Sequence, residues 1–400
     1  MTSYFLFCSC PKGLGFVLAD EINTIAQRSS TLSLDEVSSG GVMCKGTLSD
    51  IMILNLHSRI ASRILLKIGR SNYTSEKQIY NFATSLAWET WFDADKTIKV
   101  ETSAVKSPLK SLNFVKLKVK DAICDRFRRI LKKRPSVKTK FPDLRIFTFL
   151  DNKEVTLYLD TSGESLFKRG WRQEKGDAPI KENLAAALLK LSGWVPGIPL
   201  IDPMCGSGTI IIEAAQIMSG IPAGINRRFS FENLLNFDYR LWNKIKEDSK
   251  KSSINLPENP NLFCSDISKE MVQVTKNNIE KAKIKFNIPV KQINAKEILS
   301  PTRESGIILT NPPYSQRLNM KGESKKDIND SQLNFYKSFS SILKKRFINW
   351  NVFFFTADFD IPKMLRFKEA KKISLFNGTI ECKLFLFKII AGSNRKKLTN

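Results

Sequence analysis

Leu200-Ile201-Asp202-Pro203-Met204-Cys205-Gly206-Ser207-Gly208-Thr209 reads as a short apolar strand breaking into a glycine loop, with an apolar helix over 210–218 behind it. Doubly wound α/β folds hold nucleotide-like molecules this way, because the strand's carboxyl end and the helix's first N–H groups meet at one point. Gly206 and Gly208 lack β-carbons, so the backbone there can press against a ligand. A glycine loop alone is weak evidence, since ordinary turns also use Gly-Ser-Gly. Here strand and helix flank it in the order the motif requires.

Downstream the chain keeps a βα rhythm. Strands are expected at 262–266, 290–293, 306–310 and 351–356, a helix at 269–283, and a closing hairpin of 371–376 with 382–390 across Asn377-Gly378. Residues 222–260 interrupt this as a polar, aromatic insertion around Phe229, Phe231, Phe237, Tyr239 and Trp242. Upstream the pattern is α+β. A strand at 4–8, a helix at 16–26 and short strands near Val37 and at 42–44 come first. Ser49 can cap a helix whose apolar residues Ile53, Leu54, Ile60, Ile64 and Leu65 recur at helical spacing, and Ile68 opens a strand. A helix at 79–87, a strand at 97–101, a long amphipathic helix at 114–131 and paired strands at 145–150 and 155–160 complete this part.

A second motif gives the fold its chemistry. Asn311-Pro312-Pro313-Tyr314 follows the apolar run Ile307-Ile308-Leu309. The Asn311 side-chain oxygen can accept one hydrogen bond from a flat substrate's amine, and the Pro312 carbonyl, held by the proline turn, can accept the other. Tyr314 can stack on the base and offset its unstacking. Together the two motifs point to methyl transfer from S-adenosylmethionine (SAM) to an exocyclic base amine. Such a transfer needs positioning and desolvation rather than a strong base. The plainer reading of Pro-Pro is a strand terminator.

Asp202 can accept from the methionine ammonium group. Asp266, closing the strand at 262–266, can hold both ribose hydroxyls, although an ordinary helix-capping aspartate would look alike and Ser268 could do that job instead. It lies much farther from the glycine loop than the roughly 20 residues of a dinucleotide fingerprint, because the insertion intervenes. Asn294 is placed to meet the adenine edge, as any polar turn residue would be.

The charge is far from balanced: 64 Lys+Arg against 39 Asp+Glu in 400 residues, a formal +25. A polyanion is the natural partner, since each neutralised phosphate releases counterions. The densest run holds Lys106, Lys110, Lys116, Lys118, Lys120, Arg126, Arg128, Arg129, Lys132, Lys133, Arg134, Lys138, Lys140 and Arg145, opposed only by Asp121, Asp125 and Asp143. A run of this kind is usually a solvated helix face; beside a base-modifying signature it reads as phosphate contact that positions an RNA. Seven scattered cysteines argue against a disulfide framework, Cys8-Ser9-Cys10 lacks the partners of a zinc site, and His57 as the one histidine makes His-based catalysis a poor expectation. No metal is expected. The N-terminus lacks a basic signal-peptide region and no apolar stretch approaches membrane-spanning length, so a soluble cytoplasmic protein is expected.

These motifs resemble the THUMP-domain class I RNA methyltransferases, most closely the bacterial 23S rRNA guanine-N2 methyltransferase family, whose members are often labelled N6-adenine-specific DNA methylases. The resemblance runs over nearly the whole chain. It rests on Cys10-Pro11-Lys12-Gly13-Leu14, Arg59-Ile60-Ala61-Ser62-Arg63, Leu117-Lys118-Val119-Lys120-Asp121-Ala122-Ile123 and Lys168-Arg169-Gly170-Trp171-Arg172, and on Ala178-Pro179-Ile180-Lys181-Glu182-Asn183-Leu184-Ala185. The glycine loop, Ser265-Asp266-Ile267 and the Asn-Pro-Pro-Tyr motif match its cofactor and catalytic motifs. It implies further cofactor contacts at Pro179, Asn183, Pro203, Cys205 and Ile267, and Pro313 as part of the catalytic turn. It also implies a ferredoxin-like segment over 1–45, a THUMP-type RNA-binding domain over 46–162, a Rossmann-like class I methyltransferase domain with a closing antiparallel hairpin over 163–391, and a basic tail over 392–400. Ser315 stands where the family commonly has Gly, and Asn294 or a neighbour where it often has an acid. Some relatives carry a second, C-terminal methyltransferase domain, which is not expected in these 400 residues.

The expectation is a SAM-dependent methyltransferase acting on structured RNA, 23S rRNA or a large-subunit precursor. Guanine N2 follows from the resemblance alone; the motif serves adenine N6 in DNA or tRNA equally well, and a non-catalytic ribosome-assembly factor is the rival of another class. The sequence leaves the oligomeric state open.

Overall fold

The structure, a computed structural model, describes residues 2–172, 180–251, 260–312 and 325–391. The expected site residues Pro179, Pro313 and Tyr314 and the tail 392–400 lie outside the described residues. The chain divides into two compact units, one of residues 1–10, 14–168 and 222–251, the other of 11–13, 169–221 and 252–400.

The first unit begins with β1 (Tyr4–Ser9), α1 (Gly15–Ala26), β2 (Ser33–Ser38), β3 (Gly41–Gly46), α2 (Leu48–His57) and β4 (Arg63–Asn72). It continues with α3 (Glu76–Ser85), β5 (Thr97–Ala104), α4 (Leu112–Leu131), β6 (Ser136–Val137), β7 (Leu144–Leu150) and β8 (Glu154–Asp160). All eight strands join one sheet in the order β2-β3-β1-β4-β8-β7-β5-β6. Strand β4 stitches the N-terminal strands to the later ones, pairing antiparallel with β1 at Leu6↔Leu66 and with β8 at Leu66↔Leu159.

One expected helix is two elements. α2 stops at His57, Ser58 is extended, and Ile64 and Leu65 belong to β4. All five apolar positions are buried, so the spacing registered burial on both sides of a break. The cap is Thr47 rather than Ser49: the Thr47 backbone N–H and hydroxyl both donate to Asp50 Oδ2, at 2.6 and 2.8 Å. The long helix, α4, follows its sequence pattern closely. Ser111 caps it, and Val115, Val119, Ile123 and Phe127 bury one stripe.

The second unit contributes α5 (Glu182–Leu191), β9 (Leu200–Asp202) and α6 (Thr209–Met218). The chain then gives residues 222–251 to the first unit, where the Gly224 N–H donates to the Leu56 carbonyl and the Leu235 N–H to that of Trp91, both at 2.9 Å. Phe229, Phe231 and Trp242, the last on α7 (Tyr239–Lys251), are buried in edge-to-face and stacked contacts. These three rings are therefore core, whereas Phe237 is half-buried and Tyr239 exposed.

Next come β10 (Leu262–Asp266), α8 (Lys269–Lys281), β11 (Val290–Gln292), β12 (Ile307–Thr310), α9 (Lys325–Arg346), β13 (Asn351–Thr356), α10 (Ile361–Leu365), β14 (Lys371–Asn377) and β15 (Ile380–Lys388). The seven-stranded sheet runs β11-β10-β9-β12-β13-β15-β14. The first five of these are parallel, whereas β15 runs antiparallel to both its neighbours. Strand β9 lies at the reversal: the chain extends to β10 on one side and later returns to β12 on the other. Such a reversal places a crevice at the carboxyl ends of β9 and β12. Helix α9 was not among the expected elements. Its Tyr336, Phe339 and Leu343, with Phe347 just past its end, recur every three or four residues and pack with Ile308, Val352 and Phe354, each burial being worth roughly 1.5–3 kcal/mol.

Candidate active site

The glycine loop sits where the topology opens the crevice. Gly206 (φ +52) and Gly208 (φ +79) both use left-handed backbone, which L side chains adopt only at a cost. Their reasons differ. A β-carbon on Gly206 would point into open space, and Gly206 lines a cavity of about 820 Å³. One on Gly208 would meet Thr275 Cγ2 at 2.7 Å, so Gly208 faces α8 and not the cavity. Helix α8 braces the loop from behind: the Thr275 hydroxyl donates to the Gly206 carbonyl at 2.6 Å and the Asn278 amide to the Ser207 carbonyl at 3.1 Å.

Asp202, Asp266 and Asn294 all line this cavity. Asp202 is buried at the end of β9, with Oδ1 accepting from the Thr310 hydroxyl (2.8 Å) and the Met204 N–H (3.3 Å). Burial foremost, with the nearby Asp266 charge adding to it against those two hydrogen bonds, pushes its carboxyl up to about 7. A cationic group arriving beside it would favour the ionised form. Asp266 accepts from the Gly206 N–H and the Ser268 N–H, both at 2.9 Å, and so ties strand β10 to the glycine loop. Ser268 caps α8 by accepting from the Met271 N–H. The capping role is thus Ser268's, and the Asp266 carboxylate is held at the cavity wall. Asn294 spends its oxygen on the Lys296 N–H at 3.0 Å, leaving its NH₂ as the donor available to a ligand.

Pro203, Cys205, Ile267 and Asn311 also line the cavity. The neighbouring Cys264 thiol, followed by burial, pushes the Cys205 thiol well up, so it is a packing group rather than a nucleophile. Ile267 is 66% exposed at the rim, an apolar surface suited to a flat ring. Asn311 follows β12 directly, while Pro312 is buried and does not line the cavity. Asn183 is buried on α5, also away from the cavity.

Several groups without a local sequence signature also shape the site. Arg172 donates to Glu182 Oε1 (2.8 Å), the Ile180 carbonyl (3.1 Å), the Ser207 hydroxyl (3.3 Å) and the Thr209 hydroxyl (2.7 Å), clamping the loop to the start of α5. Gln332, Phe335 and Tyr336 of α9 form the opposite wall. Only the apolar spacing within 333–347 could have signalled that wall; nothing local marks Arg172 as a clamp.

The basic run divides in the fold. Lys106, Lys110, Arg128, Arg129, Lys132, Lys133 and Arg134 are exposed, and Lys116 and Lys118 are half-buried, Lys118 lying 5.1 Å from the Phe114 ring centre. Arg128 pairs with Asp125 at 2.7 Å. Arg145 is buried and bonded to Glu164 and the Gly163 carbonyl, both at 2.6 Å, so it serves the fold rather than a ligand.

Comparisons with known proteins extend over these same regions. Residues 169–385 match the family described as RMKL-like, methyltransferase domain; residues 73–160 match the THUMP domain and residues 5–65 the RlmL ferredoxin-like domain. The ribosomal RNA large subunit methyltransferase K/L of Psychromonas ingrahamii is 34% identical over 97% of this chain and 50% of its own length. That of Allochromatium vinosum is 34% identical over 97% of this chain and 52% of its own. The chain thus spans about half the length of these curated relatives. A crystallised protein named as a methyltransferase in complex with S-adenosylhomocysteine superposes with a TM-score of 0.85 at 26% identity, covering 98% of this chain and 99% of that one. A Listeria monocytogenes protein named as a predicted N6-adenine-specific DNA methylase gives 0.84 at 28% identity, covering 97% and 96%.

Proposed function

Because the chain belongs to the family of RMKL-like methyltransferase domains, we propose that it transfers a methyl group from SAM to an exocyclic base amine, guanine N2 of 23S rRNA, in the cytoplasm. The observation that carries this reading is one cavity holding Asp202, Gly206, Asp266 and Asn311 at the carboxyl ends of β9, β10 and β12. Its groups suit SAM: a buried carboxylate for an ammonium, a second carboxylate for a diol, apolar Ile267 for a ring, and open space above Gly206. SAM supplies an electrophilic methyl group on a sulfonium. The chain's residues do the rest. Asp202 anchors the amino-acid end, Asp266 orients the sugar, and Asn311, which unlike the buried Pro312 lines the cavity, accepts a hydrogen bond from the amine and aims the nitrogen lone pair at the methyl. No side chain need act as a strong base, because the nitrogen proton becomes acidic once methylated. Two features support an RNA substrate: the THUMP match over 73–160 and the exposed cations from Lys106 to Arg134.

Labelled SAM offered with deproteinised 23S rRNA, bulk tRNA and duplex DNA in parallel tests the substrate class. Label on 23S rRNA is expected; label on tRNA or DNA alone would mean the substrate was misassigned.

A further inference from the structure

Away from that cavity, the first unit has a smaller pocket of about 460 Å³, within the size range of small-ligand sites. It lies between the start of β7 and residues 228–233 of the insertion. Phe141 stands at it with 76% of its surface exposed and a left-handed backbone (φ +50), unusual for a bulky residue. Its ring makes no ring contact among the described residues. Immediately before it, residues 132–140 carry five cations (Lys132, Lys133, Arg134, Lys138, Lys140) and no acid, all exposed.

The pocket's charges are not equivalent. Asp143 accepts from both the Thr97 N–H (2.8 Å) and its hydroxyl (2.6 Å). Glu232 accepts from the Phe229 N–H at 2.8 Å, and Glu164 is held between Lys168 and Arg145. Each carboxylate is thus committed. Arg228, exposed at the pocket, makes no hydrogen bond or ion pair among the described residues, so an incoming anion would meet an uncommitted guanidinium.

We propose that this pocket is a docking site for an unpaired RNA nucleotide, its base stacked on Phe141, its phosphate met by Arg228, and the flanking strand tracking the cations of 132–140. Stacking on an exposed aromatic beside a cationic track is how single strands are held without a sequence requirement. The inference rests on the RNA reading above and adds where, and in which form, the RNA is gripped outside the catalytic crevice. A base-paired nucleotide could not offer its face to Phe141.

The test uses the full chain and a fluorescently labelled, unstructured twelve-nucleotide RNA, with binding followed by anisotropy over a salt series. Phe141→Leu should weaken binding about tenfold with an unchanged salt slope, while Phe141→Trp should retain it. Arg228→Gln should weaken binding and lower the salt slope by about one. Phe141→Asn separates docking from folding. Asn tolerates positive φ, so thermal stability should hold or rise while RNA binding falls. A blunt duplex of the same length should be insensitive to Phe141→Leu. Equal affinity of wild type and Phe141→Leu for the single strand would overturn the docking site and leave the methyl-transfer reading standing, since that is scored on 23S rRNA with labelled SAM. A wild-type protein that did not bind the single strand would likewise overturn the docking site, with methyl transfer still scored independently on 23S rRNA.

Discussion

Replacing Asp202 by Asn should stabilise the protein at alkaline pH while removing its hold on a cationic ligand. Asn keeps an oxygen for the Thr310 hydroxyl (2.8 Å) and the Met204 N–H (3.3 Å), so the swap is nearly isosteric. Burial, ahead of the Asp266 charge, pushes the Asp202 carboxyl from 3.8 up to about 7. Between those pH values the folded state keeps a proton that the unfolded chain has released, so wild-type stability declines as pH rises through the window and levels off above it. Asn has no such proton to lose. At about 1.4 kcal/mol per pH unit, the two pH units from 5 to 7 correspond to a gap that widens by roughly 2–3 kcal/mol. Urea unfolding of both proteins at pH 5 and pH 8 measures it, and calorimetric titration with SAM at pH 8 measures the lost anchor. A gap that stays constant with pH, or a variant that binds SAM as tightly as wild type, would refute the assignment of Asp202 as a buried, strained carboxylate awaiting a cation.

Gly208→Ala should destabilise by about 1–3 kcal/mol, from its left-handed backbone plus the 2.7 Å approach of Thr275 Cγ2; adding Thr275→Ser, which keeps the hydroxyl bonded to Gly206, should recover part of this in a double-mutant cycle. Phe339→Ala should cost about 3–5 kcal/mol by emptying the core under α9, read from the denaturation midpoint. Lys132→Gln with Lys133→Gln should reduce the salt slope of RNA binding by about 1.4–1.8 and leave SAM affinity unchanged. Wild-type SAM affinity should strengthen as pH rises towards about 7, where Asp202 ionises.

The sequence was most legible where one local pattern has one physical solution. Strand–glycine loop–helix over 200–218 could hardly fold otherwise, and the Ser111-capped stripe of α4 and the 371–388 hairpin were nearly as constrained. It was least legible where burial comes from distant partners. Ile53 through Leu65 shows helical spacing, yet Ile64 and Leu65 are sheet, because β4 is buried on a face that periodicity alone does not identify. Helix α9 has helical spacing at Tyr336, Phe339 and Leu343, but its polar first half carries no matching apolar stripe to mark where it begins. Asp202, Asp266, Asn294 and Asn311, which line the cavity, were legible as candidates because each closes a strand or follows one closely. Arg172 was missed because its four bonds reach residues 8 to 37 positions away. Gly208 was named for the ligand, but what excludes a side chain there is Thr275, some seventy residues on.

The most direct test of the account is the identity of the methylated nucleoside. Labelled SAM and the protein are incubated with 23S rRNA from cells lacking this gene, and the RNA is digested to nucleosides, with Asn311→Ala in parallel. The account predicts labelled N2-methylguanosine with wild type and at least a hundredfold less with Asn311→Ala, about what misplacing a reacting group costs. Labelled N6-methyladenosine, or N2-methylguanosine at an undiminished rate from Asn311→Ala, would contradict it.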